Sequence, residues 1–350
     1  MDQTSFAAKG SAPVYEDPFD IGSGGASLTR ASQAGMMFSN PALIPYGPGF
    51  HRWAGNESTL IVGKDSVEFA KSMKSGGADS SAAGTTKMIE TVLKTPIHAG
   101  ALNNFAYINR VFGFSTFSRS EVDLSAKKFG DTGLPAVRFR AESYSGVGVS
   151  LASMALTRFA SVGVTGKYLY ASEPDLAIDL TDTEKIKSLQ SPTGIKSLVS
   201  MNTGIGYDAG MLLFFQGSSN DLRLAFKADD LGGTKLKGKA DLKLLKQVYS
   251  LGLGYTIHTG TDAIVFTLDY RDIKKAYQEE LFKRVRMGTK ILIRRHLGLG
   301  LGYYDGWPSY AVELDAFIIR LTAAIYTREF GAKPGIDPRT VYALGFTMGM

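Results

Sequence analysis

The sequence predicts an all-β fold: a transmembrane antiparallel β-barrel of about fourteen strands with an N-terminal plug in its lumen. Three observations predict it. Segments of roughly ten residues alternate large apolar side chains with small or polar ones. The connections between these segments are short and long in turn. The first 57 residues do not alternate, and they are rich in Gly, Ser, Ala and Pro.

The composition is compatible with a barrel and argues against other classes. The 350 residues are 44% hydrophobic and include 40 Gly, 16 Tyr and 20 Phe, a profile that favours strands. No apolar stretch approaches the roughly 20 residues that a spanning helix needs. The chain has no Cys, which excludes disulfides and thiolate metal sites.

The last ten residues, VYALGFTMGM, show the alternation clearly. Tyr342, Leu344, Phe346 and Met348 are large and apolar, whereas the residues between them are small. In a soluble sheet, the second face would normally carry charged or polar side chains. We therefore interpret the large face as lipid-facing and the small face as lumen-facing.

Further segments with this alternation or a strand-like composition cover most of the chain. The predicted strands are 59–69, 105–118, 121–129, 143–154, 159–170, 202–216, 222–229, 249–258, 263–271, 285–293, 297–303, 309–317, 319–328 and 341–350.

The connections between these strands are sorted by length. Tight ones are predicted at 118–121, 155–158, 217–221, 258–262, 294–296 and 316–318, and longer ones at 71–104, 130–134, 173–201, 229–246, 272–283, 304–309 and 329–338. Outer-membrane barrels are built in this way, with short periplasmic turns and longer outer loops. A soluble β-sandwich or propeller has no reason to sort its loops.

Charged residues are predicted on the lumen side of adjacent strands. They are Arg223, Lys227, Asp269, Arg286, Lys290, Arg294, Glu313, Asp315, Arg320 and Arg328. A soluble core would reject these charges, whereas a wet lumen accepts them. Their mixed sign favours internal salt bridges and a plugged barrel over an ion-selective pore.

Motifs for catalysis are missing. The stretches GIGYDAG and GLGLGYYDG resemble phosphate loops, but neither opens a helix, so we interpret them as small lumen-facing residues. The four histidines show no metal-ligand spacing, and no Gly-x-Ser-x-Gly elbow or His-Glu-x-x-His motif occurs. The sequence predicts no enzyme, no cofactor and no metal site.

The N-terminal segment carries a resemblance. Gly25-Ala26, a run of small residues and an apolar pair before Asn40-Pro41-Ala42-Leu43 resemble the N-terminal segment of FadL-like outer-membrane barrels. That superfamily includes fatty-acid and hydrocarbon uptake channels, and TraF-type and secretion-associated relatives. The resemblance implies a hatch inside a fourteen-strand barrel, with Asn40, Pro41 and Ala42 as the hatch turn. We accordingly assign 1–57 to the N-terminal segment and hatch, and 58–350 to the barrel.

This chain departs from the pattern in two ways. It ends on Met350, where common barrels have an aromatic residue, and it is shorter than the fatty-acid uptake members. The N-terminus has no apolar signal core, so the expected location in the bacterial outer membrane requires that a signal peptide has been removed.

Two functions remain open. One is passive transport of hydrophobic small molecules across the outer membrane. The other is a non-conducting barrel that anchors or organises an envelope protein complex. An apolar lining of the long loops with a gap in the wall would favour the first, and a sealed lumen with an exposed patch would favour the second.

The long loops contain basic clusters at 185–197, 235–246 and 271–286. They are either solvated loop charge or a surface that docks onto lipopolysaccharide phosphates. Nucleic acid is not an expected partner, because the clusters lack interleaved aromatic residues on one face. The expected partners are outer-membrane lipids, lipopolysaccharide, a hydrophobic ligand and an envelope protein. Short loop helices are predicted at 86–94 and 273–281.

Overall fold

The computed structural model describes residues 15–46, 52–67, 95–128, 135–154, 159–172, 175–179, 201–238, 243–278, 280–294 and 296–349. Short helices lie at Pro18–Gly22 (α1), Met36–Ser39 (α2) and Leu281–Arg284 (α3), and a 3₁₀ helix lies at Pro41–Tyr46. None of the helices in the described residues is long and apolar enough to cross a membrane.

Within the described ranges, a single sheet of seventeen strands forms the wall and its extensions. Fourteen strands form the wall: β1 (Arg52–Gly63), β2 (Ile97–Asn109), β3 (Phe112–Lys128), β4 (Pro135–Met154), β5 (Ala160–Ser172), β7 (Asn202–Gln216), β8 (Asn220–Asp229), β11 (Val248–Thr259), β12 (Asp262–Tyr270), β13 (Val285–Ile293), β14 (Leu297–Tyr304), β15 (Trp307–Ala316), β16 (Ile319–Glu329) and β17 (Pro338–Gly349). Three short strands extend the sheet beyond the wall: β6 (Asp175–Asp179), β9 (Thr234–Gly238) and β10 (Lys243–Leu245).

The wall is a closed antiparallel ring. Each wall strand pairs with its neighbour along the chain, and the ring closes between β1 and β17, from Gly55 opposite Gly349 to Gly63 opposite Val341. The predicted barrel and its fourteen strands are confirmed. β1 begins at Arg52, so residues 52–57 of the wall fall in the segment that the sequence assigned to the hatch.

The two faces of the wall have the predicted character. In β17, Leu344 is 60% exposed on the outer face, whereas its neighbour Ala343 is 1% exposed on the lumen face. The same contrast recurs in β11, where Leu251 and Leu253 are 49% and 42% exposed and Ser250 is 2% exposed. A closed ring is the form in which such strands can span hydrocarbon, because every strand edge is paired.

The boundaries of two predicted strands, 105–118 and 121–129, are wrong. β2 and β3 meet at a turn at residues 110–111, and β3 then runs unbroken through 118–121, where a tight turn was predicted. The ladder to β2 continues across this stretch, with Leu102 opposite Arg119 and Ala101 opposite Ser120. The polar run was mistaken for a turn because it has no apolar side chain on either face between Phe117 and Val122.

The loop helix predicted at 273–281 is also wrong. The carboxylate of Asp272 accepts hydrogen bonds from the backbone N–H groups of Ala276, Tyr277 and Gln278 at 2.7, 2.8 and 2.9 Å. These hydrogen bonds hold the described part of the segment in turns, and helix α3 begins only at Leu281. The helix predicted at 86–94 lies outside the described residues.

The described connections are sorted between the two ends of the barrel. One end carries short turns at 110–111, 217–219, 260–261 and 317–318 and the short connection between β13 and β14. The other end carries the connections from β12 to β13 and from β16 to β17 and the hairpin of β9 and β10. The two-residue turn at 305–306 also lies at this second end.

Candidate functional site

The lumen is filled by the chain's own N-terminal segment, residues 15–46, which we call the hatch. Its large side chains are buried, among them Phe19, Leu28, Met37 and Leu43, each 5% exposed or less. Helix α1 of the hatch contacts β14–β17, and the 3₁₀ helix contacts β2, β4, β5 and β7. It therefore touches wall strands on both sides of the lumen.

Ion pairs tie the start of the hatch to β13. The carboxylate of Glu16 binds Arg286, and the carboxylate of Asp20 binds Lys290. Arg271, just after β12, lies 3.4 Å from Glu16. Burial raises the pKa of Glu16, but Arg286 and Arg271 outweigh it and lower the pKa to about 2.

Asp269 of β12 holds the backbone of the hatch. Its fully buried carboxylate accepts hydrogen bonds from the backbone N–H groups of Ser27 and Leu28, at 2.8 and 3.1 Å. Arg271 donates to the carbonyl oxygen of Gly25 at 2.9 Å. Hydrogen bonds to charged groups are stronger than neutral ones, so this contact fixes the path of the hatch along β12.

Three further wall cations bind the hatch from other strands. Arg223 donates to the carbonyl oxygen of Thr29 at 3.3 Å, and Lys227 donates to that of Phe38. Arg320 donates to the side-chain oxygen of Gln33 at 2.9 Å. Six of the ten predicted lumen charges thus contact the hatch: Arg223, Lys227, Asp269, Arg286, Lys290 and Arg320.

Three of the remaining predicted charges also lie on the lumen face. Glu313 lies 3.5 Å from Arg320, and Arg328 pairs with Glu121 of β3. Asp315, half-buried at the end of β15, accepts a hydrogen bond from the backbone N–H of Phe317 at 2.9 Å.

Arg294 differs from the prediction. It lies in the turn between β13 and β14 with φ of 48°, and its side chain is exposed. Its backbone N–H donates to Asp262 at 2.8 Å. The alternation assigned Arg294 to the lumen, but β13 ends one residue earlier, at Ile293.

The predicted hatch turn is a compact hydrogen-bonded unit. The side-chain oxygen of Asn40 accepts from the backbone N–H of Ala42 at 3.1 Å, and its amide donates to the carbonyl of Leu28 at 3.0 Å. Asn40 is extended (φ −163°, ψ 111°), as the following Pro41 requires. Ser161 of β5 donates to the carbonyl of Ala42 at 2.5 Å, so the turn is bonded to the wall.

Glycines let the hatch approach the wall closely. A Cβ atom at Gly302, in the GLGLGYYDG stretch, would lie 2.3 Å from Cα of Gly24. A Cβ atom at Gly210, in the GIGYDAG stretch, would lie 1.9 Å from the side-chain oxygen of Asn40. The sequence interpretation placed small residues on the lumen face but did not identify what they accommodate.

The opposite side of the hatch packs on an apolar part of the wall. The ring of Phe38 lies edge-on to Phe117 of β3, with centroids 4.9 Å apart. Met37 and Ile44 lie over Gly113, and Ile108 of β2 is buried in the same cluster. Contacts between hatch and wall are thus ionic along β12 and β13 and mainly apolar along β2 and β3, where Asn104 of β2 adds a hydrogen bond to the carbonyl oxygen of Ala34 at 2.9 Å.

One charged cluster was missed by the sequence interpretation. Arg119 donates to Glu121 at 2.9 Å, and Arg339 lies 3.1 Å from Asp123. His98 lies 3.6 Å from Glu121 and 3.7 Å from Asp123. The spacing of two between Arg119, Glu121 and Asp123 was the available signal, and the misplaced turn at 118–121 hid it.

No family model and no curated protein matches the sequence. The Ralstonia pickettii toluene transporter TbuX matches the structure with a TM-score of 0.52 and 12% identity, over 96% of this chain and 97% of that chain. The monoaromatic hydrocarbon channel CymD matches with 0.51 and 9%, over 96% and 98%. A deltaS2 mutant of the monoaromatic hydrocarbon channel TodX matches with 0.51 and 10%, over 97% and 99%.

These identities show a common fold and nothing finer. The fold is the closed fourteen-strand barrel shared with these channels, and a barrel of this kind is what the resemblance in the N-terminal segment predicted.

Proposed function

From the fold shared with hydrocarbon channels, we propose that this chain is a bacterial outer-membrane barrel through which hydrophobic small molecules pass passively. One observation carries the proposal: the apolar packing of Met37, Phe38 and Ile44 against Phe117 and Gly113 inside the lumen. The interior of a water-filled porin is polar. An apolar boundary between hatch and wall instead suits apolar solutes.

The proposed mechanism rests on the two kinds of contact around the hatch. An apolar solute can replace apolar contacts at little cost, because it desolvates no polar group. A polar or charged solute would have to displace paired charges such as Glu16 with Arg286, which leaves a buried charge without its partner. The hatch therefore admits apolar molecules and excludes ions.

The test is a hatch that cannot move. The chain has no native Cys, so the double variant Ser23→Cys/Gly300→Cys introduces two unique thiols. A Cβ at Gly300 would lie 3.1 Å from Cβ of Ser23, and a shift of about 0.4 Å or more brings the pair into the usual range for a disulfide. We expect the oxidised variant to slow entry of the apolar dye N-phenyl-1-naphthylamine into cells. Reduction of the disulfide should return dye entry to the rate measured in cells that express the unmodified chain.

The matched control is a disulfide within the wall. Ser120 of β3 and Ser143 of β4 are cross-strand partners whose hydroxyl oxygens are 3.1 Å apart on the outer face. Ser120→Cys/Ser143→Cys adds a cross-link without touching the hatch, and dye entry should be unchanged. If cells with the unmodified chain admit dye no faster than cells without it, the channel proposal fails.

A second candidate is the non-conducting barrel that organises an envelope complex. Phe317 is 84% exposed and Ile318 is 52% exposed, side by side in a turn at the short-turn end of the barrel. Such an apolar tip is a candidate contact for an envelope protein. Under this candidate, Phe317→Ser should reduce chemical cross-linking to envelope proteins, and neither disulfide would alter dye entry.

A further inference from the structure

The hairpin of β9 and β10 extends the wall at its long-loop end. β9 pairs with β10, with Lys235 opposite Leu244, and with the start of β7, where Lys237 lies opposite Thr203. Cross-strand partners share one face of a sheet. Lys237 therefore lies on the face that carries Ile205 and Tyr207 of β7, which are 58% and 57% exposed. That is the lipid-facing side.

Four lysines surround this face, and we call them the lysine patch: Lys235, Lys237, Lys246 and Lys274. All four side chains are exposed. Lys246 follows β10, and its ammonium donates to the carbonyl of Ala276 at 3.0 Å. The ammonium of Lys274 lies 4.4 Å from the ring centre of Tyr249.

No carboxylate of the described residues forms an ion pair with a lysine of the patch. Three described acidic residues close to the patch in sequence are otherwise engaged. Asp229 pairs with Lys227, and Asp230 with Lys167, inside the lumen. Asp272 accepts hydrogen bonds from backbone N–H groups of the segment that follows it. Among the described residues, the patch is therefore a group of positive charges on the outer face of the barrel without an ion-pair partner.

Aromatic side chains place the patch at the membrane surface. Tyr249 of β11 stacks on Phe226 of β8 with centroids 6.1 Å apart, at the top of the lipid-facing bands of these strands. Tyrosine rings concentrate where hydrocarbon meets headgroups. Lys274 lies over this ring and Leu244, 47% exposed, lies beside Lys235, so the lysines are at headgroup level around an apolar centre.

We propose that the lysine patch binds the phosphate groups of lipopolysaccharide in the outer leaflet. An ammonium is a compact point charge that suits a phosphate, and several can share one. Leu244 and the aromatic rings would contact the lipid portion below the phosphates. This inference concerns the outer face and does not depend on whether the lumen conducts.

The test uses the purified full chain in detergent, with lipid A as the probe and bound lipid counted by native mass spectrometry. In Lys235→Gln/Lys237→Gln we expect the dissociation constant to rise about fivefold for each lysine removed, which corresponds to roughly 1 kcal/mol each. The control is Lys64→Gln/Lys333→Gln, which removes two exposed lysines from other loops at the same end of the barrel. Its affinity should be unchanged.

Phosphatidylglycerol in place of lipid A separates the two sources of lipid phosphate. We expect it to bind more weakly and to be insensitive to the patch variant. Three outcomes would overturn the proposal: an equal loss of lipid A affinity in the patch and control variants, no loss in either variant, or equal binding of lipid A and phosphatidylglycerol. Both variants must retain the heat-dependent gel mobility described below, which shows that the barrel is folded.

Discussion

At the scale of single residues, the close approach of the hatch to β14 depends on a missing side chain. Gly302→Val would place a branched side chain 2.3 Å from Gly24, and overpacking of this kind costs about 1–3 kcal/mol. We expect the hatch to lift from β14 while the wall stays intact, and added protease to cleave within residues 15–46 sooner.

Gly166→Val is the matched control for this substitution. A Cβ at Gly166 would meet only the ring of Tyr207, at an ordinary 3.8 Å. If the hatch resists protease equally in both variants and in the unmodified chain, the absence of a side chain at Gly302 is not required for the hatch to pack on β14.

Glu16 gives the hatch a defined response to acid. Its pKa is lowered from 4.5 to about 2, so its ion pair with Arg286 contributes stability that is fully present above pH 4.5 and is lost as the pH falls toward 2. We expect hydrogen-exchange protection of the α1 amides, corrected for intrinsic rates, to persist at pH 4.5 and to weaken below it. Glu16→Gln should reduce protection at pH 7 and remove this acid step; an unaltered step would place the titrating group elsewhere.

The alternation of side chains predicted which charges face the lumen, but not what they bind. Lys227 and Asp269 have the right phase in their strands, and the structure places both on the lumen face. Their partners, Phe38 and the Ser27-Leu28 backbone, are far away in sequence. Neither partner carries a complementary side chain, because both contacts are to the backbone, so no pattern of residue types could reveal them.

At the scale of elements, the sorting of the loops gives the barrel a direction. Gly232 lies at the long-loop end and Gly260 at the short-turn end, and a side chain at either would meet nothing within 4 Å. A peptide tag inserted after Gly232 should bind antibody on intact cells, and the same tag after Gly260 should bind only after the outer membrane is opened. The reverse result would invert the proposed orientation.

The strands that the sequence predicted well are those with one consistently apolar face. β11 through β17 match because residues such as Leu251 and Leu253 mark the lipid side without interruption. β3 was split because Ser118 and Ser120 point outward while Arg119 and Glu121 point inward. Where both faces of a strand are polar, as in this stretch, the period of two no longer separates strand from turn.

At the scale of the whole molecule, the closed ring should resist detergent. Every wall strand is hydrogen-bonded on both sides, so opening the ring requires breaking a complete ladder. We expect unheated samples to migrate differently from boiled ones on a denaturing gel. Deletion of residues 22–45 should preserve that difference, because the hatch supplies no strand to the ring; a deletion variant that always migrates as unfolded chain would contradict this assignment.

The pairing of β1 with β17 also constrains the order of assembly. The two strands that seal the ring are its first and its last along the chain, so the seal cannot form until every wall strand between them has been made and exported. The hatch precedes β1 and is too extensively bonded inside to be threaded through a finished ring. It must be enclosed as the strands curl around it. The lumen contacts of the hatch would then act as a template for closure, long before any solute arrives.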